Sequence, residues 1–340
     1  MAWLLDLDRR SISAYESGES VPRADILEKI ARETGFPIEF FYGDDLEEPN
    51  GPTFRSMARM SARLRDMALS QGAIANLVSS FIEKKFHLPM VDIPDISHES
   101  DPESASEILR NYWGLGAQPI NNMIHLLESK GVRVFSLAID AREIDAFSMW
   151  KTDIPMVFLN TYKTSEHSRM DAAHELAHLV LHRRGSRTGK DAEKDARAFA
   201  SAFLIPKSSV KAKSKVSPSY AELVELKTIW KVSVAALNYR LHDLGMTTDW
   251  YYRMTCIEIT RRGRTIEPNQ IERETSQILP KVFSTLYEEN VSRSDVARQL
   301  AIPREELENL MFGLTFTAID GGQKGMPQKS RANLKLITKN

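Results

Sequence analysis

The amino-acid sequence predicts a mostly helical α+β protein in which one small sheet sits among helices. Three observations carry this. Apolar residues recur at helical spacing along most of the chain, as at Ile26, Leu27, Ile30 and Ala31. Between residues 132 and 159 the pattern changes to short β-like runs: Val132, Val134 and Phe135, then Ala146–Met149, then Met156–Leu159. Two polar stretches bearing proline, GDDLEEPNGP and VDIPDISHESDP, interrupt the helical pattern and mark boundaries. At 340 residues the chain exceeds one ordinary domain, so two or three are expected.

Residues 2–17 hold two short helical patterns. Trp3, Leu4 and Leu7 belong to the first; the second begins at Ser11, carries Ile12 and Tyr15, and stops at Gly18. A third helix is predicted over 24–34 with Gly35 at its end, and Phe36, Ile38, Phe40 and Phe41 would close a small core. Residues 42–53 read as a linker, and a long helix follows from Phe54 to about His87. Residues 103–130 predict two helices separated by GLGAQPI. After the strands, one helix runs from near Ser168 through His182 and another from Ala192 to Leu204, closed by Pro206. Further helices are expected over 219–230, 234–243, 247–260, 269–289, 293–300 and 303–312. From Asp320 onward, glycines, polar residues and five Lys or Arg predict a disordered tail. No internal repeat is visible.

Composition removes several classes of function. The formal net charge is −1, so any nucleic-acid contact must come from a local patch. The single cysteine, Cys256, can form neither an intrachain disulfide nor a cysteine metal cluster, which fits a reducing, cytoplasmic compartment. No apolar run approaches the ~20 residues of a membrane helix, and the start MAWLLDLDRR does not read as a secretory signal.

The chemistry concentrates in DAAHELAHLVLH, which contains H-E-x-x-H. Residues four apart share a helix face, so His174 and His178 can aim two imidazoles at one ion, a set that suits Zn²⁺. Glu175 lies beside them, where a carboxylate can take a proton from water that the metal has acidified. Leu176, Ala177, Leu179, Val180 and Leu181 make the helix dry, which strengthens the field of an ion there. A catalytic zinc needs a third protein ligand and an open position. The next helix offers Glu193 as a candidate, with Asp191 and Asp195 near it in sequence. His182 is a rival, but it stands a further turn on, about 6 Å along the axis, too far from His174 to share an ion on a straight helix. The bland alternative is a surface helix with two solvated histidines.

HELAHLVLH followed by EKDARAFASAFLIP resembles the ImmA/IrrE family of bacterial metallopeptidases. Members show a zinc-binding H-E-L-x-H helix, then a helix of the form E-x-x-A-x-x-F-A ending in L-x-P. Here that second element is Glu193, Ala196, Phe199, Ala200, Leu204 and Pro206. The resemblance implies that Glu193 is the third ligand, and DAFSMW followed by MVFLN resembles the family's sheet. One departure stands out. Related zincins often place Asp or Asn four residues after the ligand Glu as a partner for a ligand histidine, and this chain has Arg197 there. A cation beside the metal would weaken its binding and compete for Glu193; Asp171, Asp191 or Asp195 would then supply the acceptor.

A second resemblance lies at the start. RRSISAYESGESVPRADILEKIARETGFPIEFFYG is similar to the later part of an XRE-type helix-turn-helix domain, with the beginning of that domain absent from the chain. In that family the helix around Arg9–Tyr15 enters the major groove, which would face Arg9, Arg10, Ser11 and Ser13 toward bases or phosphates. Residues 1–43 hold eight acids against five Lys or Arg, a poor electrostatic footprint for DNA. The division expected is a partial helix-turn-helix over 1–45, a linker and long basic helix over 46–100, a zincin-like domain over 101–218, a helical region over 219–318 and a basic tail over 319–340.

The reading that follows is a zinc-dependent endopeptidase acting on a protein substrate, a repressor by resemblance. The alternative is a DNA-binding regulator or antitoxin-like protein whose zincin-like domain senses a ligand or metal without cutting. A third possibility is a dimer through the C-terminal helices, for which Ile229, Trp230, Val232, Val234, Leu237 and Leu241 are apolar enough; the same residues suit an ordinary core against the peptidase domain equally well. Arg55, Arg59, Arg63 and Arg65 form a basic stripe that reads first as a solvated helix face, as do Arg261, Arg262 and Arg264. Tyr162 and His167 precede the zinc helix and could bond a developing oxyanion, although a loop residue without such a task is the commoner case.

Overall fold

A computed structural model describes residues 5–46, 62–137, 145–183, 189–263 and 267–312. Arg55, Arg59, Arg264, the Arg63 side chain and the basic tail lie outside that description. The N-terminal helices are α1 (Arg9–Glu16) and α2 (Ala24–Thr34), followed by a 3-10 turn over Ile38–Tyr42. Asp8 caps α1 by accepting from the Ser11 backbone at 2.8 Å, and Gly35 ends α2 with φ at 75°. Next come α3 (Ala62–Glu83), α4 (Pro102–Tyr112) and α5 (Met123–Ser129). The strands are β1 (Arg133–Leu137), β2 (Ala146–Lys151) and β3 (Ile154–Asn160). After them run α6 (Ser165–Leu181), α7 (Gly189–Leu204), α8 (Lys207–Lys213), α9 (Tyr220–Trp230), α10 (Val234–Asp243) and α11 (Asp249–Arg262). The last described helices are α12 (Ile278–Glu288), α13 (Arg293–Gln299) and α14 (Arg304–Asn309). None of the described helices is long and apolar enough to cross a membrane.

The sheet has the order β1-β3-β2, with β1 parallel and β2 antiparallel to β3. Both faces are covered, and the strand period of two decides which residue goes where. Val157 and Leu159 of β3 join Val134 in a core shared with α6, α7, α9 and α10. Met156 and Phe158 point the other way, with Phe135, Phe147 and Met149, into a core shared with α3 and α12–α14. On that face Phe147 stacks on Phe158 with ring centroids 4.3 Å apart. Helix α6 fills the first side. Thirteen of its 17 residues are buried, so packing around its whole circumference, more than one amphipathic stripe, holds it in place.

Trp230, Val232, Val234, Leu237 and Leu241 are interior to the α6–α10 core, the second of the two readings given for them, and not an exposed dimer face. The helix expected over 269–289 begins only at Ile278. Residues 267–277 instead run without helix, because carboxylates from other elements take their backbone bonds. Ile271 N donates to Glu166 at 3.0 Å and Gln277 N to Glu128 at 3.0 Å. Glu274 in turn accepts from Met123 N at 2.9 Å and Glu267 from Val234 N at 2.8 Å.

Helices α13 and α14 are joined by a tight turn in which Ala301 sits at φ 52°. That left-handed conformation strains any residue with a Cβ. Ala301→Gly should therefore raise stability by about 0.5–1 kcal/mol, the strain relieved being partly offset by a more flexible unfolded chain. A urea midpoint that falls instead would show that the Ala301 methyl contributes more than its backbone strain costs.

Candidate metal centre

Helix α6 begins at Thr164, whose side chain accepts from His167 N, and runs to His182. Its packing aims His174 and His178 at α7, the helix beside it. There Glu193 Oε2 lies 3.4 Å from His174 Nε2, and Glu193 Oε1 lies 3.4 Å from His178 Nε2. The two imidazole nitrogens are 3.2 Å apart. One ligand atom from each of the three residues falls within 4.8 Å of the others. The three residues predicted as ligands are thus brought together by two helices packed side by side. Two neutral-capable nitrogens and one carboxylate oxygen, partly shielded from water, are a donor set that fits a divalent metal such as zinc.

The electrostatics agree. Burial alone would push the Glu193 carboxyl up, but hydrogen bonds from His174 and His178 hold it far below the usual carboxylate range. Burial would likewise lower the His174 ring. The hydrogen bond to Glu193 and the charges of Glu175, Glu193 and Asp171 outweigh it, and the ring is raised above its ordinary value. A ligand must shed its proton to bind metal. With His174 raised, zinc affinity should climb with pH through and above the ordinary histidine range, roughly tenfold per pH unit for each proton displaced. A zinc titration at pH 6, 7 and 8 reads this directly; an affinity independent of pH would contradict it.

Glu175 is 5% exposed and points to the sheet, where its Oε2 accepts from Ser148 Oγ at 2.6 Å. Ser148, in the middle of β2, escapes sequence reasoning because 27 residues separate it from its partner. His182 is not aimed at the cluster. Its Nδ1 lies 2.9 Å from Nδ1 of His178, behind the ring. Arg197 is exposed, and the depressed Glu193 carboxyl owes its shift to the histidines. Asp191 is exposed and Asp195 half-buried; neither belongs to the three-residue cluster. Asp171 is deeply shielded, and burial, with Asp145 and Glu175 nearby, pushes its carboxyl well up. His167 sits 3.5 Å from Asp171 and 3.8 Å from Asp145, and burial pushes its ring down. Tyr162 is 67% exposed.

In the N-terminal module, Arg9, Arg10 and Ser13 are exposed on α1. Ser11 is spent differently: its hydroxyl donates to Asp8 at 3.0 Å as part of the helix cap.

Comparison with known proteins gives the same two parts. The IrrE N-terminal-like domain of a peptidase family matches residues 127–242, which span β1 through α10 and contain the whole cluster. A helix-turn-helix model matches residues 2–41. The chain therefore joins an XRE-type helix-turn-helix, a DNA-binding type of module, to an ImmA/IrrE-type peptidase domain. No curated protein matches it significantly. Among solved structures, a Mycobacterium tuberculosis transcriptional regulator is 16% identical, with a TM-score of 0.31, over 42% of this chain and 47% of the other. The match thus spans about half the length of that regulator.

Proposed function

We propose that this chain is a cytoplasmic zinc-dependent endopeptidase that cuts a repressor-type protein and so relieves transcriptional control. The observation that carries it is the convergence of His174, His178 and Glu193 within 4.8 Å, with the buried Glu175 next in sequence to a ligand. Zinc held by His174, His178 and Glu193 would supply Lewis acidity for acidifying water and polarising an amide carbonyl. The protein's own groups do the rest. Ser148 ties up Glu175 Oε2 and fixes its rotamer, which leaves Oε1 as the proton acceptor. Glu175 takes the proton of the attacking water and delivers it to the departing amine nitrogen, so one carboxylate serves as base and then as acid. The flanking α6 side chains, Leu176, Ala177 and Leu179 among them, are fully buried, so little water screens these charges.

The test is direct. The zinc-loaded chain is incubated with helix-turn-helix repressors from the same cell, and mass spectrometry searches for new peptide termini. Termini that appear with zinc and vanish with a chelator support the proposal. The exposed Arg9, Arg10 and Ser13 favour a second reading, a DNA-binding regulator that does not cut. Specific retardation of the chain's own upstream DNA, with no new termini in any repressor, would establish that reading instead.

A further inference from the structure

We infer that His182 is the positioning residue that sets the tautomer of His178, switching between donor and acceptor as the metal centre empties and fills; the inference rests on the metal centre proposed above. His178 faces the cluster with Nε2, 3.2 Å from His174 Nε2 and 3.4 Å from Glu193 Oε1. Its other nitrogen, Nδ1, lies 2.9 Å from Nδ1 of His182. The two rings are 4% and 5% exposed, so water does not compete for that bond.

Of two facing ring nitrogens, one must carry the hydrogen and the other the lone pair, and this couples the rings. Glu193 takes hydrogen bonds from His174 and His178. A His178 ring with its proton on Nε2 has a bare Nδ1, which accepts from Nδ1–H of His182. To ligate a cation, Nε2 must itself be bare. The neutral His178 ring then carries its proton on Nδ1 and donates it to a His182 protonated on Nε2. A carboxylate behind His178 could only accept, and a guanidinium could only donate; an imidazole can do either. This is how the chain manages without Asp or Asn four residues after Glu193, where Arg197 stands exposed. The partner comes from the C-terminal end of the ligand helix itself, one turn beyond His178. His182 also lines a small pocket with Ser97, Glu99 and Asp195.

The full-length chain is tested in three variants. His182→Asn places an amide oxygen or nitrogen near the position of Nδ1, able to accept or donate. His182→Gln places the amide further out, near Nε2, and His182→Phe keeps the ring volume but removes both capacities. Zinc affinity is measured by competition with a chromogenic chelator, and the visible absorption of the cobalt-loaded protein reports the ligand field. Loss of such a partner costs 10–100-fold in metal affinity. The Phe and Gln variants should fall by about that factor, while Asn stays within a few-fold of wild type with an unchanged cobalt spectrum. Equal affinity in Phe and wild type would overturn the assignment. So would an Asn variant that falls as far as Gln, whichever of them matches wild type in urea stability. A wild type that takes up no zinc removes the metal centre and this role together. A wild type that binds zinc but cuts nothing removes only the peptidase reading, and the titrations still decide the role of His182.

Discussion

Glu175→Gln should leave zinc bound and reduce cleavage by roughly 10²–10⁴-fold, the range by which a positioned general base accelerates a reaction. The expectation follows from where the side chain sits. Glu175 is buried, directly follows the proposed ligand His174 in sequence, and has one oxygen held by Ser148 at 2.6 Å. A glutamine of the same shape can still bond that hydroxyl, so the helix and its histidines should keep their places. What it lacks is a basic oxygen for the attacking water's proton. The measurement pairs zinc content per chain with the rate of appearance of a cleaved product. A variant that cuts as fast as wild type would show that another group is the base. A variant that loses its zinc would show that Glu175 holds the site together. His174→Ala is the contrast, since it should lose metal and cleavage together.

The clustering of His174, His178 and Glu193 was legible in the sequence because its parts obey local rules. A four-residue separation puts His174 and His178 on one face, and Glu193 follows on the next helix, which packs beside the first. The strands were legible too, because the change of period near Val132 is a change of geometry. The groups behind these residues were not legible. Ser148 meets Glu175 only because β2 lies beneath α6, a fact of tertiary packing. His182 lies at ligand spacing from His178, and only the direction of the two rings shows that it backs the site instead of joining it. The same limit explains the missed extended segment at 267–277. Its residues can form a helix, but Glu166 and Glu128 offer its amides better-placed acceptors. Local propensity differs by tenths of a kcal/mol per residue, and a hydrogen bond to a charged group outweighs it at about 1.5–3 kcal/mol.

Lys227→Met should destabilise the protein by about 3–5 kcal/mol, the cost of leaving a buried charge without its partner. Lys227 and Glu166 have fully buried side chains 2.8 Å apart, and Glu267 approaches the same ammonium at 3.2 Å. One cation thus serves two carboxylates, and methionine would fill the space while stranding both. Glu166 lies in the first turn of α6, where the helix N-terminus favours a negative charge but cannot replace a full counter-ion. Because α6 carries His174 and His178, the strain falls on the helix that presents the proposed metal ligands. The comparison that isolates the cause is Lys227→Met combined with Glu166→Gln and Glu267→Gln, which removes the stranded charges with little change in volume. Urea unfolding of the metal-free proteins, where no bound ion adds its own stabilisation, should show a large loss in the single variant and recovery of much of it in the triple. If the single variant loses less than about 1 kcal/mol, the range of an exposed pair, these charges are not the buried, mutually dependent cluster that the packing implies.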